Sequence, residues 1–170
     1  MSFIDGVTFG QGLGASTGID GSASNFKGFI CTETGSAMVD GQIVMLDTAQ
    51  VGNDIGKCIK QATVTATSGN VFAVGVLTQP TATTDGTNLA KVDVITGKGS
   101  LASAVCDASV TGAGMPLGVD TTAGTFTALA ATYAALAAGE AGRVTATSLA
   151  ASAVGTDGVR RATVMLEVGI

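Results

Sequence analysis

The chain has 170 residues, a mean hydropathy of +0.48 and only 12% charged residues, well below the roughly 25% usual for soluble domains. That suits one domain with a real core and a surface that partners cover. Thirteen acids against eight bases leave a net charge of −5 with no basic cluster beyond Arg160 and Arg161, which argues against nucleic-acid binding; the absence of histidine removes the commonest general base, the usual serine or cysteine triad and the commonest zinc ligand.

At the N-terminus, Met1-Ser2-Phe3-Ile4-Asp5-Gly6 has neither the positive n-region nor the apolar h-region of a secretory signal. No stretch reaches the ~18 consecutive apolar residues of a membrane span. Both features predict a chain made and kept in a cytoplasm. Residues 1–27 carry six glycines and only Asp5, Asp20 and Lys27 as charges, the composition of an extended arm. Its apolar anchors are Phe3, Ile4, Val7, Phe9, Leu13, Ile19 and Phe26. Burying them returns less free energy than fixing the arm's backbone costs in entropy. Order in the arm therefore calls for a neighbour, by β-augmentation against an adjacent protomer or a shell subunit, which makes these anchors the predicted partner-binding residues. The alternative is an arm laid along its own barrel.

Residues 28–170 are predicted as an all-β domain. Twenty-five glycines, 24 threonines and only two prolines accompany short runs of Val, Ile and Thr, side chains that suit a pleated sheet. Asp-Gly pairs at Asp5, Asp20, Asp40, Asp85 and Asp157 mark tight turns. Strands are predicted over 26–32, 42–47, 55–64, 71–78, 89–96, 100–106, 115–120, 125–129, 143–149 and 160–168. Residues 128–138 are mostly alanine and have the propensity for one short helix, although they lack caps.

Motifs that carry chemistry are weak. Ser24-Asn25-Phe26-Lys27 matches S-x-x-K, but no K-T-G follows. Gly52 to Cys58 is one residue too short for a P-loop and lacks its Ser/Thr, so it reads as a turn. Gly10-Gln11-Gly12-Leu13-Gly14 has no βαβ unit around it. No calcium loop or zinc spacing occurs, and no cofactor is predicted. Cys31, Cys58 and Cys106 stand at wide spacing beside apolar residues and read as small buried thiols.

Internal repetition is more informative. Residues 84–97 align with 156–169 at a displacement of 72: Thr84-Asp85-Gly86, Ala90, Val92 and Gly97 coincide with Thr156-Asp157-Gly158, Ala162, Val164 and Gly169. At a displacement of 73, Gly41, Asp47 and Thr48 fall on Gly114, Asp120 and Thr121, and residues 71–77 fall over 144–150. Three blocks in the same order predict two similar halves, an internal repeat of about 41–99 and 114–170, joined as a closed barrel or sandwich that removes exposed sheet edges.

The succession Gly41-Gln42-Ile43-Val44-Met45-Leu46-Asp47, Val71-Phe72-Ala73-Val74-Gly75-Val76-Leu77 and Val92-Asp93-Val94-Ile95-Thr96-Gly97-Lys98-Gly99 resembles the capsid cement, or head decoration, proteins of tailed bacteriophages. In that family a G-x-x-V strand leads to an A-x-G-V strand and then to a strand ending in glycine. Gly114 to Asp120 and Val164 to Gly169 resemble its later strands. The resemblance spans about 28–170 and implies a β-tulip or related barrel, trimers at threefold and quasi-threefold positions, and binding to the major capsid protein on the virion exterior. It supplies no catalytic residue. The insertion over 49–70 and the Ala-rich segment depart from the family pattern.

Sequence and resemblance together predict a non-enzymatic cement with no nucleic-acid or membrane partner, assembling after shell expansion without ATP or metal. Two other readings stand beside it. A β-rich adhesin or glycan-binding module calls for an exposed aromatic platform, and one Tyr with no Trp is a poor supply. An enzyme working through Ser24 and Lys27, or through a cysteine, needs a low-pKa nucleophile in a cleft.

Overall fold

The computed structural model describes residues 25–34, 36–54, 56–64, 73–81 and 90–167. Their regular structure is eleven strands and three single 3₁₀ turns. Five strands form a closed barrel: β1 (Asn25–Cys31), β2 (Ile43–Leu46), β3 (Cys58–Gln61), β4 (Ala73–Leu77) and β5 (Ala90–Thr96), in the order β1-β3-β2-β4-β5. Six more build a second sheet: β6 (Leu101–Val105), β7 (Pro116–Val119), β8 (Phe126–Ala128), β9 (Ala146–Ser148), β10 (Ala153–Val154) and β11 (Arg160–Leu166). Its order is β10-β11-β9-β7-β8, with β6 also paired to β11.

The second sheet repeats the connections of the barrel. β2 pairs antiparallel with β3 and β4, and β4 with β5; in the same way β7 pairs with β8 and β9, and β9 with β11. β1 closes the barrel through antiparallel β5 and parallel β3. β6 holds the corresponding place in the second sheet through antiparallel β11 and a single parallel bridge from Cys106, just after it, to Phe126 of β8. Even one register coincides. Phe29, Ile30 and Cys31 face Val92, Lys91 and Ala90, while Ala102, Ser103 and Ala104 face Val164, Thr163 and Ala162. β11 thus stands from β5 at the displacement of 72 at which their sequences align.

Alternation along the strands sorts side chains into two cores, because successive residues point to opposite faces. Phe29, Cys31, Val44, Ile59, Val74, Val92 and Val94 belong to one buried cluster. Ile43 and Ile95, the neighbours of Val44 and Val94, belong to the other, together with Val76 of β4; it also holds Leu117, Phe126, Val164 and Leu166 of the second half. The barrel's outer face is thereby part of the second half's core. This is why Ile43-Val44 and Val94-Ile95 are apolar on both faces, the pattern of a strand buried from two sides. Each large side chain so buried contributes about 1.5–3 kcal/mol.

Main-chain bonds tie the halves. Gly41 donates to the carbonyl of Leu77 at 2.8 Å and accepts from the N–H of Val105 at 2.8 Å. Ile43 donates to Gly124 at 3.0 Å, and Gly124 donates to Ala62 at 2.8 Å. Gly41 has φ +85°, and a Cβ there would lie 2.9 Å from the carbonyl oxygen of Ser103, so only glycine fits. Gly114, its counterpart in the repeat, has φ +79°.

Three expectations meet differences. β1 begins at Asn25, one residue before the strand expected from Phe26, so the last residues of the expected arm 1–27 are part of the barrel; residues 1–24 lie outside the described residues. The helix over 128–138 does not form; Tyr133–Ala135 makes one 3₁₀ turn after an extended Thr132 that gives no side-chain cap. Alanine propensity alone does not nucleate a helix, and residues 131–135 are exposed, with no apolar stripe to bury. β10 was not expected, being two exposed residues without alternation.

Candidate functional site

Of the seven anchors, Phe3, Ile4, Val7, Phe9, Leu13 and Ile19 lie outside the described residues. Phe26 stands opposite Ile95 in β1, partly buried and packed on the core shared by the two halves. Ser24 is also outside the described residues, and Lys27 is an exposed residue of β1. The Gly52–Cys58 segment is a 3₁₀ turn, Gly52–Asp54, leading into β3. All three cysteines are free and buried. Cys31 and Cys58 sit on neighbouring strands, but Cys58 pairs with Ile30 and Cys31 with Ile59, so the pleat turns them to opposite faces. Burial pushes the Cys106 thiol up to about 12, the reverse of what a nucleophile needs.

Polar groups concentrate at turns. Asp47, at the end of β2, accepts from Thr32 Oγ1 at 2.8 Å, Gln50 Nε2 at 2.7 Å and the N–H of Ala49 at 3.2 Å, and pairs with Lys60 at 3.3 Å. Burial disfavours its charge, but these bonds outweigh burial and bring its carboxyl down to about 2. Its counterpart Asp120 likewise caps the turn after β7, accepting from the N–H of Thr121 at 2.6 Å. Arg161 spans the halves: Nη2 meets Asp40 Oδ1 at 2.9 Å and Nη1 meets Asp157 Oδ2 at 2.6 Å. The hydrogen bond and charge of Arg161 hold Asp157 below the usual carboxylate range.

Among the described residues, two concavities stand out. One, of about 410 Å³, lies over β1 and β5 and is lined by Gly28, Phe29, Ile30, Lys57, Lys91, Val92 and Asp93. The other, of about 380 Å³, lies between the Ala-rich loop and the second sheet; Lys98, Tyr133, Leu136, Ala141, Val144 and Glu167 line it. The loop is fastened to β7 at both ends, Leu129 donating to Pro116 at 3.0 Å and Thr145 to Leu117 at 2.8 Å. Among the described residues no group of three or more His, Cys, Asp or Glu is placed to hold a metal ion. No helix there is long and apolar enough to cross a membrane.

The chain matches no family model and no curated protein. The assignment of a role therefore rests on the residues themselves. Sequence reasoning missed the second concavity, because its side chains come from three separated segments. The one available signal was the only tyrosine of the chain, standing inside a run of alanines.

Proposed function

We propose that this chain is a non-enzymatic structural protein that binds the outside of a tailed-phage capsid and cements it, bridging neighbouring major capsid subunits as a trimer. One observation carries the reading. The segments that resemble the cement family fall on β2, β4 and β5, which are successive neighbours in the closed barrel, and their glycines stand where the backbone requires them. Gly41 of the G-x-x-V strand has φ +85° between the two halves, and Gly75 of the A-x-G-V strand has no room for a Cβ beside the Ile95 carbonyl.

The mechanism is mechanical. A doubled β body with a shared core is stiff, and low charge leaves a surface suited to contact by apolar and backbone groups. Repetition around a closed shell makes weak contacts multivalent, so release is slow although no single residue is indispensable. Residues 1–24, which precede β1 in the chain, are the segment proposed to contact neighbouring protomers or the shell. The test is a mass measurement of the purified protein followed by mixing with expanded shells of its cognate capsid protein. The expected result is a trimer that binds saturably; a monomer that never binds shells contradicts the proposal. Removing residues 1–24 should lower shell occupancy, and unchanged occupancy would exclude the arm from the contact.

A further inference from the structure

The concavity beneath the Ala-rich loop is built by a chain of polar contacts that cementing does not use. Lys98 Nζ stands 3.6 Å from Glu167 Oε2. Glu167 Oε1 accepts from Thr147 Oγ1 at 3.1 Å, and Thr147 Oγ1 is hydrogen-bonded to the Tyr133 hydroxyl. The direction of the chain follows from its end. A carboxylate only accepts, so Thr147 donates its one proton to Glu167 and must accept from Tyr133. The tyrosine oxygen is left with acceptor capacity facing out. Lys98, exposed, retains N–H donors, and each Glu167 oxygen retains a lone pair. The phenol ring is pinned by its hydroxyl and remains 47% exposed, beside the apolar wall of Leu136, Ala141 and Val144.

We infer that this cleft binds a neutral, polyhydroxylated ring, a saccharide. The lysine and glutamate cancel, so no net charge draws a phosphate or another polyanion. A carboxylate ligand would face Glu167, and an ammonium ligand would face Lys98. A hydroxyl group both donates and accepts, so it complements a donor and an acceptor side by side. The C–H face of a sugar ring is apolar and flat enough to lie on the tyrosine ring and against the wall. A volume of about 380 Å³ falls within the range of small-molecule sites. The inference is independent of the cementing proposal.

The protein reports on its own site. Tyr133 is the only tyrosine and there is no tryptophan, so tyrosine emission from the full chain reads this cleft alone. Titration with glucose, galactose, mannose, N-acetylglucosamine and their disaccharides should give a saturable change for at least one. Glucuronate and glucosamine should bind more weakly. Glu167→Gln and Lys98→Met should each weaken binding about tenfold or more, the loss of a hydrogen bond to a charged group, with the thermal transition confirming that each variant is folded. The inference is overturned if no neutral saccharide gives a saturable change, by emission or by saturation-transfer NMR, up to about 100 mM. It is equally overturned if both variants bind as well as the parent, if the charged sugars bind more tightly, or if emission responds only to protein concentration, which would place a second copy in the cleft.

Discussion

At the scale of single residues, the sharpest constraint is Gly75. A Cβ there would sit 1.9 Å from the Ile95 carbonyl oxygen and 2.9 Å from Val94 Cγ1, and the obstacle is chiefly backbone of the paired strand, which cannot swing aside. Gly75→Ala should cost more than about 3 kcal/mol, read as loss of soluble protein or a large fall in denaturant midpoint; a variant that melts like the parent contradicts the packing. Asp47 sets an acid limit. Its folded carboxyl, at about 2, lies below the unfolded value near 3.9, so its contribution is fully present above about pH 5 and is lost as pH falls through about 4 to 2. The parent should lose stability across that window by about 1–2 kcal/mol more than Asp47→Asn. Parallel acid titrations of the two would deny Asp47 this role.

At the scale of elements, the joint between the halves is testable through Arg161. Its side chain is mostly buried and joins Asp40, before β2, to Asp157, in the turn before β11. Both acids are half exposed, so screening keeps the value modest; Arg161→Ala should cost about 1 kcal/mol, with lost packing of its stem included. Hydrogen exchange should quicken at Val105, whose N–H bonds to the Gly41 carbonyl across the same joint, and unchanged exchange there would separate Arg161 from the joint. Strands were legible because Val, Ile and Thr runs are bounded by Asp-Gly and other glycine turns, and the positions of Gly41 and Gly114 marked the repeat. The parallel pairing of β1 with β3 was not legible, since it joins residues nearly thirty apart through no local signal. The Ala-rich segment misled for the opposite reason. Its helix propensity is local, whereas its path is set by Leu129 and Thr145 bonding to β7 and by the Tyr133 hydroxyl.

At the scale of the whole molecule, the shared core makes the halves interdependent. Ile43, Val76 and Ile95 of the barrel lie in the same cluster as Phe126 and Leu166, so unfolding should be one cooperative transition, with calorimetric and van't Hoff enthalpies equal; two separated transitions would show that the halves are autonomous. The repeat was readable as matched blocks, but the use of the barrel's outer face as the second half's core was not, because alternation says which residues are apolar and not which neighbour covers them. On the cementing proposal, a body that unfolds as one unit is what each protomer brings to the shell. The most direct measurement is the thermal or chaotrope transition of expanded cognate shells, taken with and without saturating protein. Cementing requires the transition to move upward in step with occupancy and to level off at saturation. Shells that bind the protein and melt where bare shells melt would contradict it.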